Sequence, residues 1–411
     1  MNKRTPSQSR MPQKHGYQLG AVLALLLTLT ASPSSAQEAR LASGKRVQLE
    51  DTISKFMAAN RVPGLSAAVV LGGEQAWSEG FGVADLENNV PVTPQTLFRL
   101  ASVSKTVTAT AAMHLWEQGK LDLDAPVQKY CPAFPQKEWP ISTRQLLGHL
   151  GGIRHYRSES EGDVEVNNTR HFDNPIAGGL NFFANDPLVA KPGASFHYST
   201  QGFTLIGCAI EGAGAEKYID YVRQNVFQPA NMPHTQWDDR YALIPHRTRF
   251  YSKSKSGAVV NADFLDASYK IPGGGWLSSA DDMANFEVAI LADRLIKRAT
   301  RNAMWTPQQP STPQVGEDGH SSYALGWGTG NSAGVPDVGH GGGQQGTSTF
   351  IMLAPEQRAG VVVLINMDGV DASALATDLM KILVGATEKG KQGSTTGMGS
   401  AFRDQDPTGI F

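Results

Sequence analysis

The thirteen residues from Thr106 to Gln118 restrict this chain more than any other stretch. Val107, Ala109, Ala111, Ala112, Met113, Leu115 and Trp116 make a helix-length run that is nearly apolar all round, and Gly119 ends it. Such a helix has no stable place at a surface and must lie inside a large core, between layers of other structure. Strand signals bracket it. Leu65 to Leu71 and Glu74 to Gly82 are joined by Gly72-Gly73, a pair suited to a two-residue hairpin turn whose central positions need positive φ. Near the other end, Ser348 to Leu353 and Gly360 to Ile365 flank the turn Ala354-Pro355-Glu356. Neither region alternates strand and helix as a parallel sheet would. Helical patterns cover Val47 to Asn60, Thr143 to Leu150 and Phe203 to Val226. Ser278, with Asp281 three residues on, reads as a capping box opening a further helix after Gly273-Gly274-Gly275. The fold class expected is α+β: an antiparallel sheet with flanking helices plus a mostly helical lobe. Residues 41–118 and 270–387 would form the sheet lobe and 119–269 the helical lobe. Residues 388–411, rich in Gly, Ser, Thr and charge, read as a loose tail.

The N-terminus carries an address. Lys3, Arg4, Arg10 and Lys14 precede the apolar run Leu19 to Leu29, and Ser34-Ser35-Ala36 offers a small-residue cleavage site. That is the layout of a secretory signal peptide over 1–36, cleaved after Ala36, and it predicts a secreted or periplasmic protein with no membrane span once cleaved. The run is short for a span, and an uncleaved anchor is the rival reading. Removing 1–36 takes the formal charge from −2 to −6. A mildly acidic chain without a basic stripe is not expected to bind nucleic acid. Cys131 and Cys208 are the two cysteines. Export permits a disulfide, but Cys208 sits in the apolar run Leu205 to Ile210, where a buried free thiol is the commoner outcome.

The chemistry begins just before the buried helix, at Ser102-Val103-Ser104-Lys105. Residues three apart share a helix face, so Ser102 can meet Lys105 there. A lysine in a dry site loses its proton readily and can serve as base to a serine nucleophile. The pattern alone is weak, because Ser252-Lys253-Ser254-Lys255 also matches. That copy lies in a polar, Gly-ended stretch where the amine would stay hydrated and protonated, and it reads as a solvated hairpin or loop. Ser104 reads as a helix-start residue. Tyr198 follows 96 residues after Ser102, in Phe196-His197-Tyr198-Ser199-Thr200. A nearby positive charge would lower its pKa and let it pass protons. His340-Gly341-Gly342-Gly343 comes 142 residues later, before the strand at Ser348. Backbone this rich in glycine can approach a substrate closely and aim an N–H at an oxyanion.

These three elements, in this order, resemble the serine β-lactamase and penicillin-binding-protein superfamily, in its class C-like, peptidase S12 type branch. The likeness is greatest to the LACTB-like serine β-lactamase-like hydrolases. It also rests on Phe98-Arg99-Leu100-Ala101, Leu121-Asp122-Leu123-Asp124, His149-Leu150-Gly151-Gly152-Ile153-Arg154-His155-Tyr156, Asn185-Asp186-Pro187-Leu188, and Tyr269-Lys270 before Gly273, and runs from about Ile53 to Leu383. The resemblance implies a β-lactamase/transpeptidase-like α/β sandwich. It implies Ser102 as acylated nucleophile, Lys105 as base and Tyr198 as proton shuttle. The oxyanion hole would be the N–H groups of Ser102 and Gly343, with His340, Gly341, Gly342 and Thr200 lining the substrate site.

Two departures bear on substrate. Thr200 stands where the family has Asn, and His340-Gly341 stand where Lys or His and a hydroxyl residue are usual. A neutral imidazole anchors a carboxylate far less strongly than an ammonium. The expectation is a serine hydrolase of small peptide, amide or ester substrates, weak on β-lactams, needing no cofactor and no metal. A homo-oligomer is allowed. A true class C-like β-lactamase or D-alanyl-D-alanine carboxypeptidase stays open, as does a non-catalytic or filament-forming scaffold of the same fold. His149 and His155 read as loop-shaping, since no His-x-x-x-His or Cys-x-x-Cys pair is present to hold zinc. Gly385 to Lys391 mimics a phosphate loop but lacks its Ser/Thr and following helix. Asn167-Asn168-Thr169 is a glycosylation sequon, meaningful only on a eukaryotic secretory route.

Overall fold

Eight antiparallel strands make the main sheet, and the chain's two ends supply its centre. In a computed structural model that describes residues 41–157, 170–311 and 322–385, the strands are β1 (Gly64–Leu71), β2 (Glu74–Asp85), β3 (Val90–Pro91), β4 (Ser322–Tyr323), β5 (Gly328–Gly330), β6 (Asp337–Gln344), β7 (Thr347–Ala354) and β8 (Ala359–Ile365). Their order across the sheet is β3-β2-β1-β8-β7-β6-β5-β4. The first hairpin turns at Gly72 and Gly73, φ +66° and +87°, as its two-residue loop requires. β1 then pairs with β8 in the register Leu65–Ile365 to Val70–Gly360, which joins the first strands to the last. The proposed signal segment, the sequon, residues 388–411 and most of the phosphate-loop mimic lie outside the described residues.

Both faces of the central strands are covered, so alternate residues enter two different cores. Leu65, Ala67, Val69, Phe350, Met352, Val361 and Val363 pack with Leu49 and Ile53 of helix α1 (Ser43–Asn60). Leu375, Leu379 and Met380, from the C-terminal helix Ala372–Val384, join the same cluster. Ala68, Val70, Ile351, Leu353, Val362 and Leu364 face the second core, with helix α2 (Ser104–Glu117). Each fully buried Val or Leu contributes about 2 kcal/mol by leaving water. Thr106 through Met113 are all buried, as the all-round apolar run demands.

Elsewhere the chain departs from the sequence reading. The Phe203–Val226 pattern is broken: helix α3 (Thr200–Gly214) ends at Ala215, φ +53°, and helix resumes at Tyr218. Gly212 and Gly214 weaken its last turn. The capping serine of helix α4 (Ala280–Leu291) is Ser279, whose Oγ accepts the Asp282 N–H, rather than Ser278. Ser278 is buried in a short strand and its hydroxyl is taken by Thr235. The cysteines are not free thiols. Cys131 and Cys208 form a disulfide, with Cα atoms 5.4 Å apart. A Cβ at Gly212 would stand 1.8 Å from the Tyr130 carbonyl, so glycine there lets the Tyr130–Cys131 segment lie directly on α3.

Glu287 on α4 is fully buried, and neither carboxylate oxygen has a hydrogen-bond partner. Burial pushes its pKa well above the ordinary value. The folded chain therefore keeps a proton that the unfolded chain releases. This contribution to stability is complete below the unfolded carboxyl pKa and erodes as pH rises past it. Glu287→Met is expected to raise the melting temperature at pH 8 and to leave it nearly unchanged at pH 4. Equal shifts at both pH values would show that the carboxyl is ionised in the core.

Candidate active site

Local rules deliver three segments to one place. Ala101–Val103 is a single turn of 3-10 helix leading into α2, and Ala101 has φ +46°, a left-handed conformation strained for alanine. That elbow lies against β6, where a Cβ on Gly342 would stand 2.3 Å from the Leu100 carbonyl and 3.0 Å from the Ser102 nitrogen. Only glycine fits there. The glycine-rich run is part of β6 itself, with His340 opposite Ile351 and Gly343 opposite Ser348.

The third segment is the start of α3. Ser199 is its N-cap: its Oγ accepts the Gly202 N–H at 2.8 Å and its hydroxyl donates to the Arg154 carbonyl at 2.7 Å. Tyr198 and Thr200 therefore sit on either side of a fixed cap. Two histidines hold the same backbone. His149 Nδ1 accepts the Ser199 N–H at 3.1 Å, and His155 Nδ1 accepts the Thr200 N–H at 3.2 Å. His149 occupies the left-handed position, φ +56°, that ends helix Thr143–Leu147. Burial first, then the charge of Lys105, lowers both pKa values, that of His155 to about 3. Both act as neutral acceptors to backbone. Among the described residues no His, Cys, Asp or Glu cluster could hold a metal ion.

Lys105 is completely buried and makes three contacts: Ser102 Oγ at 2.9 Å, Thr200 Oγ1 at 3.0 Å and the Gly273 carbonyl at 2.8 Å. Burial, then the charge of Lys270, drives its pKa well below that of a free lysine. A neutral amine has two N–H donors and one lone pair. It can donate to Gly273 and Thr200 and still accept the Ser102 hydroxyl proton. Thr200 is also buried, so its hydroxyl serves the amine.

Tyr198 bonds to the Ser102 hydroxyl and lies 4.8 Å, ring centroid to Nζ, from Lys105. Its pKa is raised, chiefly by burial, contrary to the lowering expected beside a lysine. The physical reason is that the phenol is itself buried, which disfavours the phenolate more than its hydrogen bond to Ser102 favours it. Tyr198 is thus a phenol, able to donate.

His340 is completely buried. Its Nδ1–H donates to the Gly341 carbonyl at 2.6 Å, and its Nε2 accepts the Tyr323 hydroxyl at 2.9 Å. Burial, then Lys105, lowers its pKa to about 3. It has no charge to offer a carboxylate. His149 and His155, expected to shape a loop, do so by accepting backbone N–H groups beside Tyr198. Tyr323 is a site residue that sequence reasoning did not place, and Gly273 had pointed to the site only through the family resemblance. The decoy at Ser252 lies on a small hairpin, Tyr251–Lys253 with Val259–Asn261; Lys253 and Lys255 are exposed and the Ser252 hydroxyl donates to Asp368.

Fold and site together define a β-lactamase/transpeptidase-like serine hydrolase. The β-lactamase family model matches residues 49–384, and the chain belongs to that family. It is similar to the human mitochondrial serine beta-lactamase-like protein LACTB, 33% identical over 382 residues, spanning 72% of this chain and 69% of that protein. Among solved structures it is similar to an octameric penicillin-binding protein homologue from Pyrococcus abyssi. The TM-score is 0.72 at 28% identity, over 83% of this chain and 77% of that one. It is also similar to a D-stereospecific amidohydrolase from Streptomyces sp., with TM-score 0.66 at 26% identity, over 82% and 97% of the two chains.

Proposed function

We propose that this serine hydrolase works through an acyl-enzyme on Ser102, acting on small peptide, amide or ester substrates and weakly on β-lactams. The observation that carries the reading is the buried Lys105 amine, 2.9 Å from Ser102 Oγ. Ser102 Oγ attacks the carbonyl carbon while its proton passes to Lys105. The oxyanion is held by the N–H groups of Ser102 and Gly343, with Gly341 and Gly342 keeping that strand close. Tyr198 relays the proton to the leaving nitrogen or oxygen, the bond to it breaks, and the acyl group stays on Ser102. Water then adds, giving up a proton by the same route. The acid departs and Ser102 regains its hydrogen.

Fluorophosphonate labelling with peptide mapping tests this. The expected result is one adduct, on Ser102, absent from Ser102→Ala; equal labelling of that variant would leave a scaffold of the same fold. For β-lactams, His340 is closed off by Tyr323 and uncharged, so it offers their carboxylate no cation. Nitrocefin turnover is expected at least about a hundredfold below that of p-nitrophenyl esters, the effect of a few kcal/mol of lost binding. Comparable turnover would identify a true β-lactamase.

The protein's compartment belongs to the same proposal. The leader pattern and the Cys131–Cys208 disulfide both support an oxidising, exported location, while the human relative's name places that protein in mitochondria. Among the described residues no helix is long and apolar enough to cross a membrane. N-terminal sequencing of the mature protein should begin at Gln37.

A further inference from the structure

The cleft around Ser102 holds a basic side chain that the reaction above does not use. Lys270 ends the 3-10 turn Ser268–Lys270, three residues before the Gly273 carbonyl that holds Lys105. It is 3% exposed, and no acidic group or hydrogen bond engages its ammonium among the described residues. Its Nζ instead lies 5.2 Å from the Tyr156 ring centroid and 5.5 Å from that of Tyr269. A buried ammonium without an anion is costly. Gln344 provides an independent observation. Its Nε2 is buried, has no hydrogen-bond partner, and follows directly on Gly343 at the end of β6. The stem of Lys270 and the amide of Gln344 both lie beside Gly274. The point where a Cβ of Gly274 would stand is 3.6 Å from Gln344 Oε1, 3.8 Å from Lys270 Cδ and 3.8 Å from the carbonyl carbon of Ala101, the residue before Ser102.

The direction of the gap beside Gly274 follows from the strand. Tyr198, which protonates the leaving group, lies beside His340, with ring centroids 6.4 Å apart. The leaving group is therefore at the His340 end of β6. Gln344 is four residues further along, roughly 13 Å at strand rise, so the acyl part of a substrate extends towards it. We infer that Lys270 and Gln344 form a carboxylate-binding subsite for the acyl portion of the substrate, bounded by the open face of Gly274. The chain's preferred acyl donors then carry a free carboxylate on the side opposite the leaving group. This inference rests on the proposed Ser102 hydrolase. It also accounts for the charge missing at His340: the cation stands at the other end of the strand. Burial and then Arg99 bring the Lys270 pKa down to about 7, and an incoming carboxylate would restore the charged form.

The test compares mono-p-nitrophenyl adipate with its methyl-capped neutral counterpart, spontaneous hydrolysis subtracted. The full chain is expected to favour the anionic ester at least about tenfold in kcat/KM. That ratio should fall about tenfold in Lys270→Met and in Gln344→Leu, and recover largely in Lys270→Arg. Using the ratio removes any change in Lys105 basicity caused by losing its charged neighbour. Gly274→Ala fills the gap at ordinary contact distances and should reduce the ratio while keeping Lys270 and the melting temperature. A wild-type ratio near one, or a ratio unmoved in all three loss variants, overturns the subsite and leaves the hydrolase standing. Failure to hydrolyse either ester, with no fluorophosphonate adduct, overturns the hydrolase reading and this inference with it.

Discussion

Replacing Lys105 with methionine should lower kcat/KM on p-nitrophenyl esters by about a thousandfold, the span of a lost general base, which is about 4 kcal/mol of transition-state stabilisation. Methionine keeps most of the buried volume, so the fold is not the variable. Circular dichroism and a melting curve check that. The wild-type pH profile should carry the signature of the same amine. Lys105 acts as base only when neutral, so kcat/KM falls as pH drops and the amine takes up a proton. Burial and the charge of Lys270 place that limb well below the pKa of an ordinary lysine. Lys105→Met should lose the limb together with the rate. A variant that retains both would move the base elsewhere, with Tyr198 the next group in contact with Ser102.

The second large effect is on stability. The Cys131–Cys208 bond closes a loop with a sequence separation of 77. Constraining an unfolded loop of that length is worth roughly 4 kcal/mol on the chain-entropy account. The double variant Cys131→Ser, Cys208→Ser is therefore expected to melt about 6 °C lower, given the unfolding entropy of a domain this size. Ser102 labelling at low temperature should persist, because α3 keeps its Ser199 cap and its histidine acceptors. An unchanged melting temperature, or two titratable thiols in the unreduced wild type, would count against the bond.

Much of this site was legible in the residues. Ser102, Lys105, Tyr198 and the His340–Gly343 run do converge, because short-range rules place each of them. Ser199 caps a helix, the elbow at Ala101 precedes a buried helix, and glycines occur where strand and elbow touch. What failed were statements about charge and pairing. Tyr198 was expected to be acidified by a lysine cation, and it is not, because its own burial disfavours the phenolate. His340 was expected to face substrate, and Tyr323 covers it. Cys208 was expected to be a free thiol because its neighbours are apolar, yet Gly212 admits Cys131 from 77 residues away in the chain.

By itself, then, the sequence determined the antiparallel strands, the fully buried helix and the pairing of Ser102 with the lysine three residues on. Hydrophobic period, turn residues and caps are local, and local order can be read along the chain. The tertiary structure alone decided which groups are charged, which cysteines meet, and that Lys270 and Gln344 flank the elbow. A pKa depends on the water and charges removed around a group, and a contact depends on which distant segments packing brings together. Neither quantity is written in any one stretch of residues.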